Sequence, residues 1–163
     1  MQYVYHGSPN KNIKKFEPRL SPGNEKYGAR VYASPSKAAA SIFMADVGKS
    51  WSAGVVDGVL CAVIPLTREE FMKRDSGGCI YTFSAETFSS DTERNLGDLE
   101  WASAVAVEPI GTTEYSSALN AMLQNGVKVY FVDDVTLKKY VTSDGVEKAQ
   151  LLKGLKTEHV LSQ

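Results

Sequence analysis

The sequence predicts an α+β domain. Three observations point there. Short β-favouring runs recur along the chain, apolar residues at helical spacing separate some of them, and polar connections rich in proline and glycine lie between. The 163 residues suit a single domain spanning 1–163, long enough to bury most of its apolar surface. We find no internal repeat, low-complexity stretch or linker that would mark a second one.

Tyr3-Val4-Tyr5 reads as a first strand, ended by the turn cluster Gly7-Ser8-Pro9-Asn10. Asn10 to Gly28 is polar, carries Pro18, Pro22 and Gly23, and reads as a loop anchored by Ile13 and Phe16. Arg30-Val31-Tyr32-Ala33 is a second strand. Ser34-Pro35 then has the form of an N-cap followed by proline at the first helical position. Ala38, Ala39, Ile42 and Phe43 follow at helical spacing, and Gly48 stops the run. Gly58 to Ile64 is an apolar strand closed by Pro65, and Arg68 to Arg74 has room for one or two helical turns. Cys79 to Phe83 is a further strand, Ser84 to Leu99 a polar loop, and Trp101 to Val107 a β-type run broken by Pro109 to Thr113. Tyr115 to Gln124 reads as a helix stopped by Asn125-Gly126, and Val127 to Val132 as a strand. In the tail, Gln150 to Leu155 has helical character and the last residues fray.

Composition narrows the function classes. A hydrophobic fraction of 43% and a charged fraction of 23% are ordinary for a globular chain, and no apolar run approaches the roughly 20 residues that cross a bilayer. Met1 to His6 has no basic segment followed by an apolar core, so no signal peptide is expected and a cytoplasmic location follows. The net charge of −1 provides no global basic field to draw in nucleic acid. Lys11, Lys14, Lys15 and Arg19 form a small basic cluster, either a solvated face or a phosphate contact. Cys61 and Cys79 each sit beside apolar residues and read as buried thiols rather than a disulfide or a metal site.

Several motifs are missing. There is no phosphate-binding Walker loop, no GxGxxG after a strand and no GxSxG elbow. The only histidines, His6 and His159, lie at opposite ends of the chain, so no pair is spaced for a metal. What remains is local. Tyr5-His6-Gly7-Ser8 ends the first strand, and the glycine behind the histidine lets a ligand approach the backbone closely. Ala29-Arg30-Val31-Tyr32-Ala33-Ser34 fills the second strand, with Phe43 eleven residues beyond Tyr32. Asp98-Leu99-Glu100-Trp101-Ala102 puts a glutamate before an aromatic and a β-run. Glu108 and Glu114 compete with it, but the first flanks Pro109 and the second reads as a helix-start residue.

In this order, these three segments resemble the motifs of the His–Tyr–Glu branch of ADP-ribosyltransferases, the branch of the poly-ADP-ribose polymerases and diphtheria toxin. The resemblance covers roughly residues 1 to 132 and is anchored at three short places. It implies a split β-sheet core with a few peripheral helices, NAD as substrate, and His6, Tyr32 and Glu100 as the catalytic triad. It also implies that Gly7 pairs its backbone with the carboxamide, that His6 reaches an adenosine-ribose hydroxyl and that Ser8 reaches a nicotinamide-ribose hydroxyl. Tyr32 and Phe43 would sandwich the ring. The family's amide-binding serine, three or four residues before the second aromatic, is replaced by Ala39 and Ala40, leaving Ser41 as the nearby hydroxyl. Ala29-Arg30 replaces the glycine before the strand motif. Such small members often act as bacterial or phage toxins, which implies a protein or nucleic-acid acceptor and an antitoxin or inhibitor protein as partners, with no membrane.

The chemistry fits these residue types. The nicotinamide of NAD leaves as a cationic ring that aromatic faces hold by stacking and cation–π attraction, about 0.5–2 kcal/mol per contact. Breaking its bond to ribose builds positive charge on the sugar, which a fixed carboxylate stabilises. The same Glu100 would accept the proton of an incoming acceptor. No metal is needed, because the leaving group already carries its charge. Asp91, Glu93, Arg94 and Asn95 in the preceding loop are candidates for choosing the acceptor. Three other readings stay open: an NAD glycohydrolase that uses water, an enzyme resembling the tRNA 2′-phosphotransferases, and a non-catalytic nucleotide-binding module.

Overall fold

Nine strands and five α-helices form among the residues that the computed structural model describes, which are 2–22, 25–90 and 97–158. Gly23, Asp91, Glu93, Arg94, Asn95 and His159 lie outside them. In chain order the elements are β1 (Tyr3–Ser8), β2 (Val31–Ala33), α1 (Lys37–Ile42), β3 (Ser52–Val56), β4 (Val59–Ile64), α2 (Arg68–Arg74), β5 (Gly78–Ser84), β6 (Ser89–Ser90), β7 (Trp101–Ser103), β8 (Gly111–Tyr115), α3 (Ala118–Gln124), β9 (Lys128–Phe131), α4 (Asp134–Thr142) and α5 (Gly145–Lys153). The strands make three three-stranded sheets, ordered β1-β5-β8, β2-β7-β6 and β3-β4-β9, so the α+β class holds. No helix of the described residues is long and apolar enough to cross a membrane.

The chain gathers into two compact units. Met1–Met44 joins Gly78–Glu114 in the first, and Ala45–Gly77 joins Tyr115–Gln163 in the second. The core of the first contains Val4, Phe16, Val31, Ala33, Cys79, Tyr81, Phe83 and Phe88, with Ile13, Trp101 and Val107 packed against it. Ile13 and Phe16 thus anchor the long loop, and Phe16 also bridges to Val107. In the second unit, Cys61, Val63, Tyr130, Leu137, Tyr140 and Leu152 pack together. There β4 runs parallel to β9 and antiparallel to β3. The near-continuous apolar character of β4 follows from burial of Cys61 through Ile64.

Several boundaries differ from the sequence expectation. β1 continues through Gly7 and Ser8, because both pair with β5, opposite Ile80 and Cys79. The cap of α1 is Ser36, whose side chain accepts from the Ala39 N–H, while Ser34 bridges to Tyr5 instead. The helix ends at Ile42 with Phe43 as its C-cap, short of Gly48. β3 is an unforeseen strand, its pattern diluted by serine, alanine and glycine. It joins β4 through Asp57 (φ 50°) and Gly58 (φ 76°), two left-handed residues that make the tight hairpin turn favoured between twisted strands. β7 ends at Ser103, whose Oγ accepts from the Val105 N–H at 3.3 Å and turns the chain. The expected break near Pro109 gives way to β8, so Glu114 lies in a strand and pairs with Lys11 at 3.0 Å rather than starting a helix. The tail holds α4 and α5, capped by Asp133 and Asp144.

One carboxylate organises much of the second unit. Asp75, the C-cap of α2, accepts from the Ser117 hydroxyl (2.7 Å) and from the N–H groups of Gly77 (2.9 Å), Ala118 (2.7 Å) and Leu119 (3.1 Å). It thereby satisfies the open donors at the start of α3 and complements that helix's positive end. Hydrogen bonds to a charged group are each worth about 1.5–3 kcal/mol and are not additive when shared. Asp75→Ala should therefore lower stability by roughly 2–4 kcal/mol in urea unfolding, with Asp75→Asn losing less. An alanine variant with the wild-type midpoint would refute this role.

Candidate functional site

The first unit brings three sequence-distant segments to one place. β1 runs antiparallel to β5, and β2 antiparallel to β7 with Tyr32 opposite Ala102 and Ala33 opposite Trp101. These two ladders belong to different sheets and meet at one bridge. The Tyr5 N–H donates to the Ser34 carbonyl at 2.7 Å, and the Ser34 N–H donates to the Tyr5 carbonyl at 2.8 Å. Continuing that pairing by two residues would set Gly7 opposite Tyr32. Instead the His6 ring takes up the bond, its Nδ1 lying 2.7 Å from the Tyr32 carbonyl oxygen. At the other end of β2 the edge closes again with a bridge between Arg30 and Arg19. Between Ser34 and Arg30, about 13 Å for four residues of extended chain, this edge of β2 carries no strand ladder among the described residues, and that stretch is the notch.

Gly7 contributes its backbone to this notch. Peptide groups along a strand alternate between its two edges. Those of Tyr5 point to Ser34, so those of Gly7, two residues on, leave β1 on the same side. The glycine has a packing cause as well. A Cβ at position 7 would run into the carbonyl of Ala40, because α1 lies directly on the strand. The sequence reads this glycine as letting a ligand approach the backbone closely. The space above its Cα is filled by α1, so what Gly7 presents is its N–H and C=O.

Alternation also sorts the side chains. Val31 and Ala33 face the core and Trp101 packs against it, so Tyr32 lies on the opposite face of β2 and Glu100 on the matching face of β7. Glu100, one residue before β7, extends the register to the position beside Ser34. Tyr32 and Glu100 are thus diagonal neighbours, about 7–8 Å apart at the backbone. The same face carries Tyr5 and Gly7 on β1. Phe43 closes the helix that covers them and is 62% exposed.

His6 lies on the other face of β1, edge-on to Phe16 with ring centroids 4.9 Å apart. Burial lowers its pKa below the ordinary 6.5, partly opposed by the bond to the Tyr32 carbonyl. A carbonyl only accepts, so Nδ1 carries the proton and Nε2 of the neutral ring is an acceptor. Tyr81, not singled out in the sequence, fixes the support behind this ring. Its hydroxyl donates to the Asn10 carbonyl at 2.6 Å and accepts from the Ile13 N–H at 3.1 Å, which holds the loop that delivers Phe16. No local pattern announces bonds that span about seventy residues.

Two expected residues have other partners. Ser41 is fully buried and its hydroxyl donates to the Ala38 carbonyl at 2.7 Å, so it does not face the notch. Ser8 accepts from the Asn10 N–H at 3.1 Å, closing the turn after β1. Cys61 and Cys79 are free, buried, and pushed up in pKa by burial, which leaves them protonated rather than nucleophilic. Among the described residues no three His, Cys, Asp or Glu side chains are grouped as metal ligands would be. Comparison with protein-family models, curated proteins and solved structures finds no match.

A lowered histidine pKa has a definite sign. The unfolded chain binds the proton more readily, so the stability contributed by neutral His6 is complete above about pH 6.5 and is lost as pH falls through that value towards the folded pKa. An NMR titration of the His6 ring should give a midpoint below 6.5, with the Nδ1-protonated tautomer at pH 7.5. A midpoint above 6.5 would contradict the buried setting described.

Proposed function

We propose that the chain is an NAD-dependent mono-ADP-ribosyltransferase of the His–Tyr–Glu kind, built on a split β-sheet core and acting on a macromolecular acceptor. The observation behind this reading is that the face of β2 carrying Tyr32 lies between the Gly7 backbone on one side and Glu100 on the other, with His6 bonded to the Tyr32 carbonyl. Each of these groups has a task in transferring ADP-ribose.

The carboxamide of nicotinamide pairs with the N–H and C=O of Gly7, as a peptide edge would. The ring stacks on Tyr32, with Phe43 as the second aromatic of the sandwich. His6 offers Nε2 as acceptor to a ribose hydroxyl. When the bond from C1′ to the ring nitrogen breaks, its electron pair returns to the nitrogen and neutralises the pyridinium. The positive charge that remains on the ribose is stabilised by the Glu100 carboxylate. The acceptor's nucleophile then bonds to C1′ and gives its proton to Glu100. Ser41 has no part in this scheme, since its hydroxyl is buried and committed within α1.

The test uses NAD labelled in its adenylate part, incubated with cell lysate and either wild type or Glu100→Gln. Wild type should transfer label to material that protease or nuclease releases, which names the acceptor class. The variant should be slower by on the order of 10²–10³, the usual loss of one preorganised electrostatic group. Free ADP-ribose with no labelled macromolecule would assign water as the acceptor. Equal labelling by both proteins, or no consumption of NAD, would refute the proposal.

A further inference from the structure

The far end of the notch holds an arrangement that the proposed chemistry leaves unused. Arg19 and Arg30 bridge directly: the N–H of each donates to the carbonyl of the other at 3.0 Å. Residues paired this way have their side chains on one face with Cα atoms about 5.5 Å apart. Two like charges directly opposite on adjacent strands are destabilising. The usual remedy is a carboxylate, and the chain applies it elsewhere. Arg68 pairs with Glu158 at 3.1 Å and Arg74 with Asp46 at 3.8 Å. Neither Arg19 nor Arg30 has a carboxylate within 4.0 Å among the described residues, and the nearby Glu17 is engaged by Lys15. One Nη1 donor of Arg30 binds the Ala29 carbonyl at 2.9 Å, which holds that half-buried guanidinium beside the strand.

Position ties the pair to the site. Arg30, Tyr32 and Ser34 alternate onto one face of extended chain, so Arg30 sits about 6–7 Å along the strand from Tyr32, on the side away from Glu100. An anionic group joined through a ribose to a ring stacked on Tyr32 would reach it. We propose that Arg19 and Arg30 form a binding site for the diphosphate of the dinucleotide, the two guanidinium forks neutralising and orienting it. This inference rests on the NAD reading above.

The experiment measures equilibrium binding by the full chain and by its Arg19→Gln, Arg30→Gln and double variants. The probes are NAD, nicotinamide riboside (ring and ribose without phosphate), inorganic diphosphate, and a single-stranded DNA oligonucleotide. Each single change should weaken NAD by roughly tenfold, the scale of one charge-assisted hydrogen bond on a partly exposed site, and leave the riboside unchanged. Inorganic diphosphate should compete with NAD on wild type and not on the double variant. The double variant should melt no lower than wild type, because the change removes a like-charge pair. Unchanged NAD affinity in the double variant would overturn the proposal, as would parallel weakening of NAD and riboside, which would make the arginines supports for Tyr32. Arginine-dependent binding of the oligonucleotide, with none of diphosphate, would overturn it in favour of a nucleic-acid contact. Arginine-dependent diphosphate binding by a wild type that takes neither NAD nor riboside would leave the anion site standing and sink the ADP-ribosyl reading instead.

Discussion

The site in the first unit depends on one pair of peptide hydrogen bonds, those between Tyr5 and Ser34. They join two ladders that otherwise belong to separate sheets, and they do so at one position only. Had the pairing run on, Gly7 and Tyr32 would have satisfied each other and the edge between them would be closed. Because the His6 ring takes the Tyr32 carbonyl instead, the strands stay tied while the peptide groups of Gly7 remain directed at the gap. Around this junction the rest falls into place. α1 covers one face and demands a glycine beneath it, Phe16 and Tyr81 support the histidine from the other, and β7 brings Glu100 alongside Ser34.

Those supports are ordinary core physics. The aromatic group of Phe16, Tyr81 and Phe83 packs edge to face, with centroids 5.0 and 5.1 Å from Phe16, the geometry that aromatic quadrupoles favour. Tyr81 buries its ring there and satisfies its hydroxyl on the loop backbone. The connection after β1 is therefore held at Phe16 by the core and at Arg19 by its bridge to Arg30.

What could be read from the sequence was whatever is local. His6-Gly7-Ser8 and the strand around Tyr32 are short segments whose residue types carry their own meaning, and Glu100 stands out by its place before an aromatic β-run. The α+β class was legible for the same reason, since β4, β5 and β9 are apolar runs of strand length. Pairings between distant positions left no trace. Tyr81 to Asn10, Arg19 to Arg30 and Asp75 to the start of α3 each join residues that no window contains. β3 is not legible in the sequence because its small residues blur the alternation, although Asp57-Gly58 behind it is a turn signal. The sequence sets the cap of α1 two residues early because Ser34 and Ser36 offer the same hydroxyl, and only the sheet decides that Ser34 belongs to β2's edge. Ser41 is legible as a hydroxyl close to Phe43, but its direction into the helix is not.

The tether between His6 and Tyr32 has a property that follows from which atoms make it. Nδ1 bears a hydrogen in the Nδ1-protonated neutral ring and in the imidazolium alike, so the bond to the carbonyl survives a change of charge. Only Nε2 alters, passing from acceptor to donor as the ring gains its proton. Acidification therefore inverts the hydrogen-bonding sense of one face of the ring while its anchor to β2 holds. The ring thus keeps the two strands in register whatever the charge it carries.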